Sequence, residues 1–446
     1  MKRILTLFLI VTLALPLFAF DFFFDEEEPQ TTRNVSFTMD SGVQAFFNDG
    51  ELSPYANLTL KAEQDGAKYR AFAEVSYDST LQSLEAQEIS LSLFLGPVTL
   101  KAGLMRHSWG TADTAHVVDI VNGRDLRKGI VDDVEMMKRP DWMLTLSTYG
   151  ENSAFDMVVK PGFNPSLVAT DGKFSMTDPM MSMLDSFIPT ILNHLDPTEL
   201  PITEMDTHTL SAISIGGRYR FMFDPVDVGF MYYYGYYPDF GVKLSLSGGD
   251  LANGIPFDLK GVHLLYTRYH FIGIESSYFF SPFTLAVEGG MFLSEDSKGT
   301  DYSLYNSKLV YLAELSYTNP NNSFFAALNY QGQMVLNYDP RLLPIPEQYL
   351  EADLLASFNG KPYQNNFTLA MEYPFMREKM KVRVAGTYQM ESLGYMVLGS
   401  LTYDLDDAVE VFAKATVYGT FDESRMGLYN TWKENSQIQV GVRAWF

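Results

Sequence analysis

The residues most able to do chemistry are concentrated in one stretch. Residues 108–140 read SWGTADTAHVVDIVNGRDLRKGIVDDVEMMKRP. Arg124, Arg127, Lys128, Asp132, Asp133 and Glu135 put both signs of charge there, close together in sequence. Clusters of charge at a narrow point are how pores select solutes. Interleaved with them are Val117, Val118, Ile120, Val121, Ile130, Val131 and Val134. A loop standing in solvent needs no such residues, whereas a loop packed on an inner wall does. Catalytic patterns are weak by comparison. His107, His116, His194, His208, His263 and His270 show no H-E-x-x-H or paired metal-ligand spacing. No G-x-S-x-G elbow occurs. His107 near Asp113 is the best acid–base pair on offer. The reading is therefore no enzyme, no metal site and no cofactor.

Strands must position this stretch. Apolar and polar residues alternate along the chain, the mark of a half-buried strand. Ala56, Leu58, Leu60 and Ala62 alternate with Asn57, Thr59, Lys61 and Glu63; Val409, Val411, Ala413 and Ala415 alternate with Glu410, Lys414 and Thr416. Such runs are about ten residues long, enough for a tilted strand to cross a bilayer. Short turns fall at Gln64-Asp65-Gly66, Gly96-Pro97, Gly150-Glu151-Asn152, Asp224-Pro225, Ser281-Pro282, Asn319-Pro320-Asn321, Met376-Arg377-Glu378 and Asp404 to Asp407. Between them lie long or polar links, at 48–53, 79–84, 108–140, 162–206, 236–258, 295–303, 337–363, 391–394 and 420–435.

Short turns on one side and long loops on the other predict an all-β, transmembrane antiparallel barrel of about eighteen strands. Sixteen is the alternative. The count keeps phase only if 260–280 is one strand, where Arg268 and His270 interrupt the apolar face, either above the bilayer or at a bulge. The link 162–206 contains Met180, Met181, Leu184, Phe187, Ile188, Ile191 and Leu195 at helical spacing, which predicts one short loop helix.

Both ends of the chain carry export signals. Lys2 and Arg3 precede an apolar run from Ile4 to Leu15, then Pro16 and Ala19, the order of a signal peptide over 1–19. A periplasmic tail at 20–33 and the barrel at 34–446 follow. Ile438, Val440, Val442, Ala444 and Phe446 share one face of the last strand, and Phe446 resembles the terminal signal read by barrel-assembly machinery. The 446 residues include no Cys, and the formal charge of −23 argues against nucleic acid as a partner. The 27 Tyr and 33 Phe suit aromatic girdles at two membrane interfaces. The location implied is the outer membrane of a diderm bacterium. The partners implied are its lipids and small solutes, with an oligomer allowed.

A charge facing lipid at midplane costs about 2–4 kcal/mol, so strand charges should face the lumen. Arg70, Lys101, Arg218, Arg220 and Arg383 become wall bases, with Asp78, Glu88, Glu288 and Glu314 among the wall acids. Residues 108–140, the third outer loop, should then fold inward within reach of Arg70, Lys101, Arg218 and Arg220.

Arg106, Trp109-Gly110, Asp119-Ile120-Val121-Asn122 and Asp125 resemble the motif region of a poorly characterised, domain-of-unknown-function family of bacterial outer-membrane barrels, with Gly123 where that family tends to have Pro. The loop's place also resembles that of the constriction loop in general porins. The resemblance implies a porin-like channel for passive diffusion or uptake of small solutes, with the third loop as constriction. Two alternatives stand beside it: a substrate-specific transporter of hydrophobic molecules, and a structural or adhesive barrel with a blocked lumen.

Overall fold

In hydrocarbon an unpaired backbone N–H or C=O costs several kcal/mol, so a sheet that meets lipid must close on itself. This one does. The computed structural model describes residues 32–131, 134–175, 201–249, 253, 255–338, 353, 361–425 and 427–446. Its strands are β1 (Thr32–Phe46), β2 (Leu52–Asp65), β3 (Tyr69–Asp78), β4 (Ser83–Leu95), β5 (Val98–Met105), β6 (Asp141–Tyr149), β7 (Ser153–Lys160), β8 (Ile202–Glu204), β9 (Ser214–Phe223), β10 (Val226–Tyr236) and β11 (Gly241–Ser247). They continue as β12 (Asp258–Leu265), β13 (Arg268–Phe280), β14 (Phe283–Ser294), β15 (Lys308–Thr318), β16 (Phe325–Val335), β17 (Tyr363–Phe375), β18 (Met380–Gln389), β19 (Gly394–Asp406), β20 (Val409–Thr420) and β21 (Gln437–Trp445). Eighteen of them pair antiparallel, each with its chain neighbour in the ring. The ring shuts where β1 pairs with β21, placing Asp40 opposite Arg443. Phe446 N donates to Phe37 O at 2.8 Å, and Phe37 N to Phe446 O at 3.0 Å.

The eighteen strands are those predicted by the turn count, with one change in how they arise. Residues 260–280 are not a single strand. Residues 258–265 pair instead with 241–247, and β8, β11 and β12 form a separate three-stranded sheet within the long links. The break falls at Tyr266 and Thr267, where Thr267 O accepts Tyr237 N and Thr267 Oγ1 accepts Tyr305 N. Alternation looks the same in a loop hairpin and in a wall strand, so the pattern could not separate them. Arg268 and His270 sit on the outer face of β13, whose register with β10 and β14 runs unbroken. Arg268 donates to Tyr234 Oη at 2.7 Å and Tyr236 Oη at 2.6 Å, and lies 4.5 Å from the Tyr236 ring centroid. The predicted Met-rich helix at 180–195 lies outside the described residues.

Period-2 chemistry separates two surfaces. On β13, Tyr269, Phe271 and Glu275 are buried, while Ile272 and Ile274 are about half exposed. Leu60, Phe230, Val287, Leu328, Leu369 and Val440 are exposed on the same outer surface. A belt of this extent is far larger than the apolar patches of soluble monomers, and it matches a lipid-facing wall. The register shifts once in β3–β4, at Glu74/Val75, and this bulge turns Gln87 inward to Ser76 beside Glu85. Of the short turns, Gly96 shows the positive φ (66°) that its two-residue link requires.

A charge on the belt is the direct test. Val287→Arg should lower unfolding free energy in lipid vesicles by about 2–4 kcal/mol. Thr59→Arg, on the lumen face, should cost far less. Equal losses in urea titrations would mean that the outer face does not meet lipid.

Candidate functional site

The wide ring leaves an interior that strands alone cannot fill. The link from β5 to β6 enters it. Met105, Trp109, Val118 and Val121 are buried with Met143, Val158, Tyr233, Tyr269, Phe271 and Phe292 of the wall, and Val117 and Ile120 pack against this cluster. Burying side chains such as Val118 and Val121 is worth roughly 1.5–3 kcal/mol each, which draws the loop to the wall. Ile130 packs on another arc of the ring, with Phe174, Met396, Tyr418 and Trp432. The loop therefore runs across the lumen.

Two wall carboxylates hold the near turn. Glu288 Oε1 accepts the backbone N–H of Thr111 at 2.8 Å and of Ala112 at 3.2 Å, and Oε2 accepts that of Val117 at 2.9 Å. Glu314, one strand on, accepts Asp113 N at 2.5 Å and Thr114 N at 3.1 Å. A loop far from any strand edge thus finds acceptors for its backbone donors. Gly110 (φ 122°) makes the approach possible, since a Cβ there would overlap His116 Nδ1 and Glu288 Oε1. His116 Nδ1 lies 3.0 Å from Glu288 Oε1. Burial works against its charge, but the hydrogen bond and charge of Glu288 outweigh burial and raise the imidazole above its usual 6.5. His107 finds no hydrogen-bond partner for its Nε2 among the described residues. Burial pulls it down to about 4, and it packs edge-on against Trp109 at 5.9 Å. No hydrogen bond joins the side chains of His107 and Asp113; the Asp113 backbone N–H goes to Glu314.

The residues of the Trp-Gly…Asp-x-x-Asn pattern each shape this loop. Arg106 Nε donates to Lys138 O at 2.7 Å. Asp119 accepts Trp109 N and pairs with Lys138, both carboxylate and ammonium being buried. Asn122 accepts His107 N at 2.9 Å and donates to Arg139 O at 2.9 Å. Lys160 Nζ reaches Val121 O at 2.6 Å and Asp141 Oδ2 at 2.8 Å.

The candidate charges divide. Arg127 pairs with Asp125 and with Glu85 of β4 at 2.7 Å, and Lys128 pairs with Asp78 of β3. Glu135 meets Lys138 at 2.6 Å and Ser108 Oγ at 2.8 Å. Arg124 lines a cavity facing β15–β17. Asp132 and Asp133 lie outside the described residues. The wall bases are mostly engaged elsewhere, which corrects the expected contacts. Arg70 pairs with Glu63 and Asp65, and Lys101 with Glu88 at 2.6 Å. Adjacent strands put these opposite charges within reach before the loop arrives. Arg220 lies on the wall with Nε buried and without a hydrogen-bond partner among the described residues. Arg383 lines a cavity with Lys128 and Lys414. Arg218 does touch the loop, donating to Gly110 O at 3.3 Å, but its charge is met by Glu275, with Nε to Oε1 at 2.7 Å.

Glu275 was not among the wall acids named from the sequence, although it shares the inward face opposite Arg268 and His270. Counting by twos from Tyr269 would have found it. Residues 161–175 were also missed as partners of the loop: Leu167 bridges Asp125, and Phe174 belongs to the cluster that Ile130 packs against. Together these segments divide the lumen into cavities of about 450, 380 and 470 Å³.

No family model and no curated protein matches this sequence, so the resemblance over Arg106 to Pro140 rests on those motif residues alone. Solved structures that align with it include variants of the porin of Rhodopseudomonas blastica. One is 11% identical, with 93% of this chain and 100% of the porin covered at a TM-score of 0.41. Another is 9% identical over the same shares, at a TM-score of 0.40.

Two outcomes follow for the latch. Glu288→Ala orphans three backbone donors at roughly 1–3 kcal/mol each, so amide exchange at Thr111, Ala112 and Val117 should accelerate sharply. Exchange unchanged from the parent would mean the loop is held elsewhere. The His116–Glu288 contact has a raised folded pKa. Its contribution is therefore full below the ordinary histidine value and fades as pH climbs through the raised one. Opening of 110–117, corrected for intrinsic exchange, should grow on that alkaline side and stay flat in His116→Gln.

Proposed function

We propose that this chain is a channel of the outer membrane of a diderm bacterium, through which small polar solutes diffuse passively. The observation that carries the reading is the loop across the lumen, with cavities on its flanks whose linings include charged and amide side chains. In this reading residues 1–19 are a cleaved signal peptide and 20–33 a periplasmic tail. Phe446 is the signal that the assembly machinery reads. Arg124, Arg127, Lys128, Asp132, Asp133 and Glu135 border the constriction, and Arg383 belongs to its wall. Lumenal bases and acids are largely paired, so fixed charge sets only a mild ion preference. The acidic outer links concentrate cations at the mouth when salt is low.

Planar-bilayer recording of the refolded protein tests this. Stable open steps are expected, and shortening 123–131 should enlarge them. Arg127→Ala with Lys128→Ala leaves Glu85, Asp125 and Asp78 without their cations, so reversal potentials should move toward cation preference and relax as salt rises. A barrel that is folded by gel-shift on heating yet passes no current would refute the channel. Mature protein beginning at Met1, or found in the inner membrane, would refute the export route.

A further inference from the structure

The cavity between the loop and the β15–β17 wall differs in chemistry from its neighbours. Five side-chain amides line it, Asn122 from the loop and four from the wall in two cross-strand pairs, Gln331 opposite Asn366 and Gln333 opposite Gln364. Gln333 Nε2 donates to Gln364 Oε1 at 3.2 Å, and Lys308 Nζ donates to Gln333 Oε1 at 3.2 Å. Two lining residues carry polar atoms that are buried with no hydrogen-bond partner among the described residues, Asn366 Oδ1 and Tyr237 Oη. Tyr237 is 5% exposed. Such orphaned groups are uncommon and destabilising, so each calls for a partner the described fold does not supply. The Tyr237 ring stacks on Phe292 at 5.0 Å and on Tyr305 at 5.1 Å, giving the cavity an aromatic end.

Its lining carries two cations, Arg124 and Lys308, two carboxylates, Asp119 and Asp239, and His116, whose partner is Glu288. Asp119 is already held by Lys138, and Lys308 sits 4.7 Å from the Tyr237 ring centroid while bonded to Gln333. The cavity beside β1 and β21 is instead rich in bases, with Arg127, Lys128, Lys173, Arg383 and Lys414. The volume, about 380 Å³, falls within the roughly 300–1,000 Å³ of small-molecule sites.

From this geometry we infer that the cavity is a binding subsite for a neutral polyhydroxylated solute, a sugar or polyol of about hexose size. Each amide offers both a donor and an acceptor, as does each hydroxyl of a vicinal diol, so cross-strand amide pairs match a polyol edge. Asn366 Oδ1 accepts from one hydroxyl and Tyr237 Oη bonds another. The aromatic end meets the sugar's C–H face. Near charge balance withholds any reward from an ion. The inference rests on the channel reading only for the route by which solute arrives.

Saturation-transfer NMR on the full refolded barrel in detergent, with D-glucose as probe and sodium gluconate as its charged counterpart, tests the site without requiring current. Glucose should receive saturation and gluconate much less. Gln331→Leu with Asn366→Leu should weaken glucose binding about tenfold, two hydrogen-bonding amides having been removed. Gln364→Leu serves if the double variant fails to fold, and should weaken it less. No transfer to glucose, equal transfer to gluconate, or an affinity unchanged in a folded variant overturns the inference. Bilayer steps without glucose binding leave the channel standing and remove the subsite. Binding without steps keeps the subsite and removes the channel.

Discussion

Backbone hydrogen bonding in a medium without water is the constraint from which the molecule follows. A strand at the edge of an open sheet would present a row of donors and acceptors to hydrocarbon, and only closure removes that edge. Closure is achieved where β1 takes both β2 and β21 as neighbours. Once the ring is shut, every wall residue has one of two surroundings, lipid outside or lumen inside, and alternation sorts them. The exceptions fall near strand ends: Arg268, stacked on Tyr236, lies at the first residue of its strand, where charge is tolerated.

The same constraint returns inside. A loop that leaves solvent to cross a barrel takes its own N–H groups with it. Here the wall answers with carboxylates rather than strand edges, Glu288 and Glu314 receiving five backbone donors between them. The apolar half of the loop supplies the driving force, and the carboxylates remove the penalty that would otherwise oppose it. Ion pairs such as Asp119 with Lys138 and Arg218 with Glu275 fix the arrangement more than they stabilise it, since burying charge offsets most of the attraction.

This division of labour shapes what the lumen can offer a solute. Charges used to anchor the loop are largely neutralised by one another. What remains facing the cavities is a set of amides, hydroxyls and aromatic rings on one flank and a concentration of bases on another. The interior is therefore uneven in chemistry although its fixed wall charges nearly balance, and the loop is the partition that makes it so.

Much of this was legible in the sequence by itself. Alternation and turn spacing are local properties, and they pointed to a ring of about eighteen strands, with sixteen as the alternative and short turns at one end. The mixture of Val117 to Val121 with charged neighbours was enough to send the third loop inward. Which charges meet was not legible. Arg127 and Lys128 find Glu85 and Asp78, not the bases of the wall, and Arg70 and Lys101 are satisfied by adjacent strands. Residues 258–265 alternate like a wall strand but pair within the outer loops. The physical reason is one of range. Side-chain period is set by neighbours along the chain, whereas contact across a lumen depends on ring closure, strand stagger and the path of a loop, and only the tertiary structure decides those.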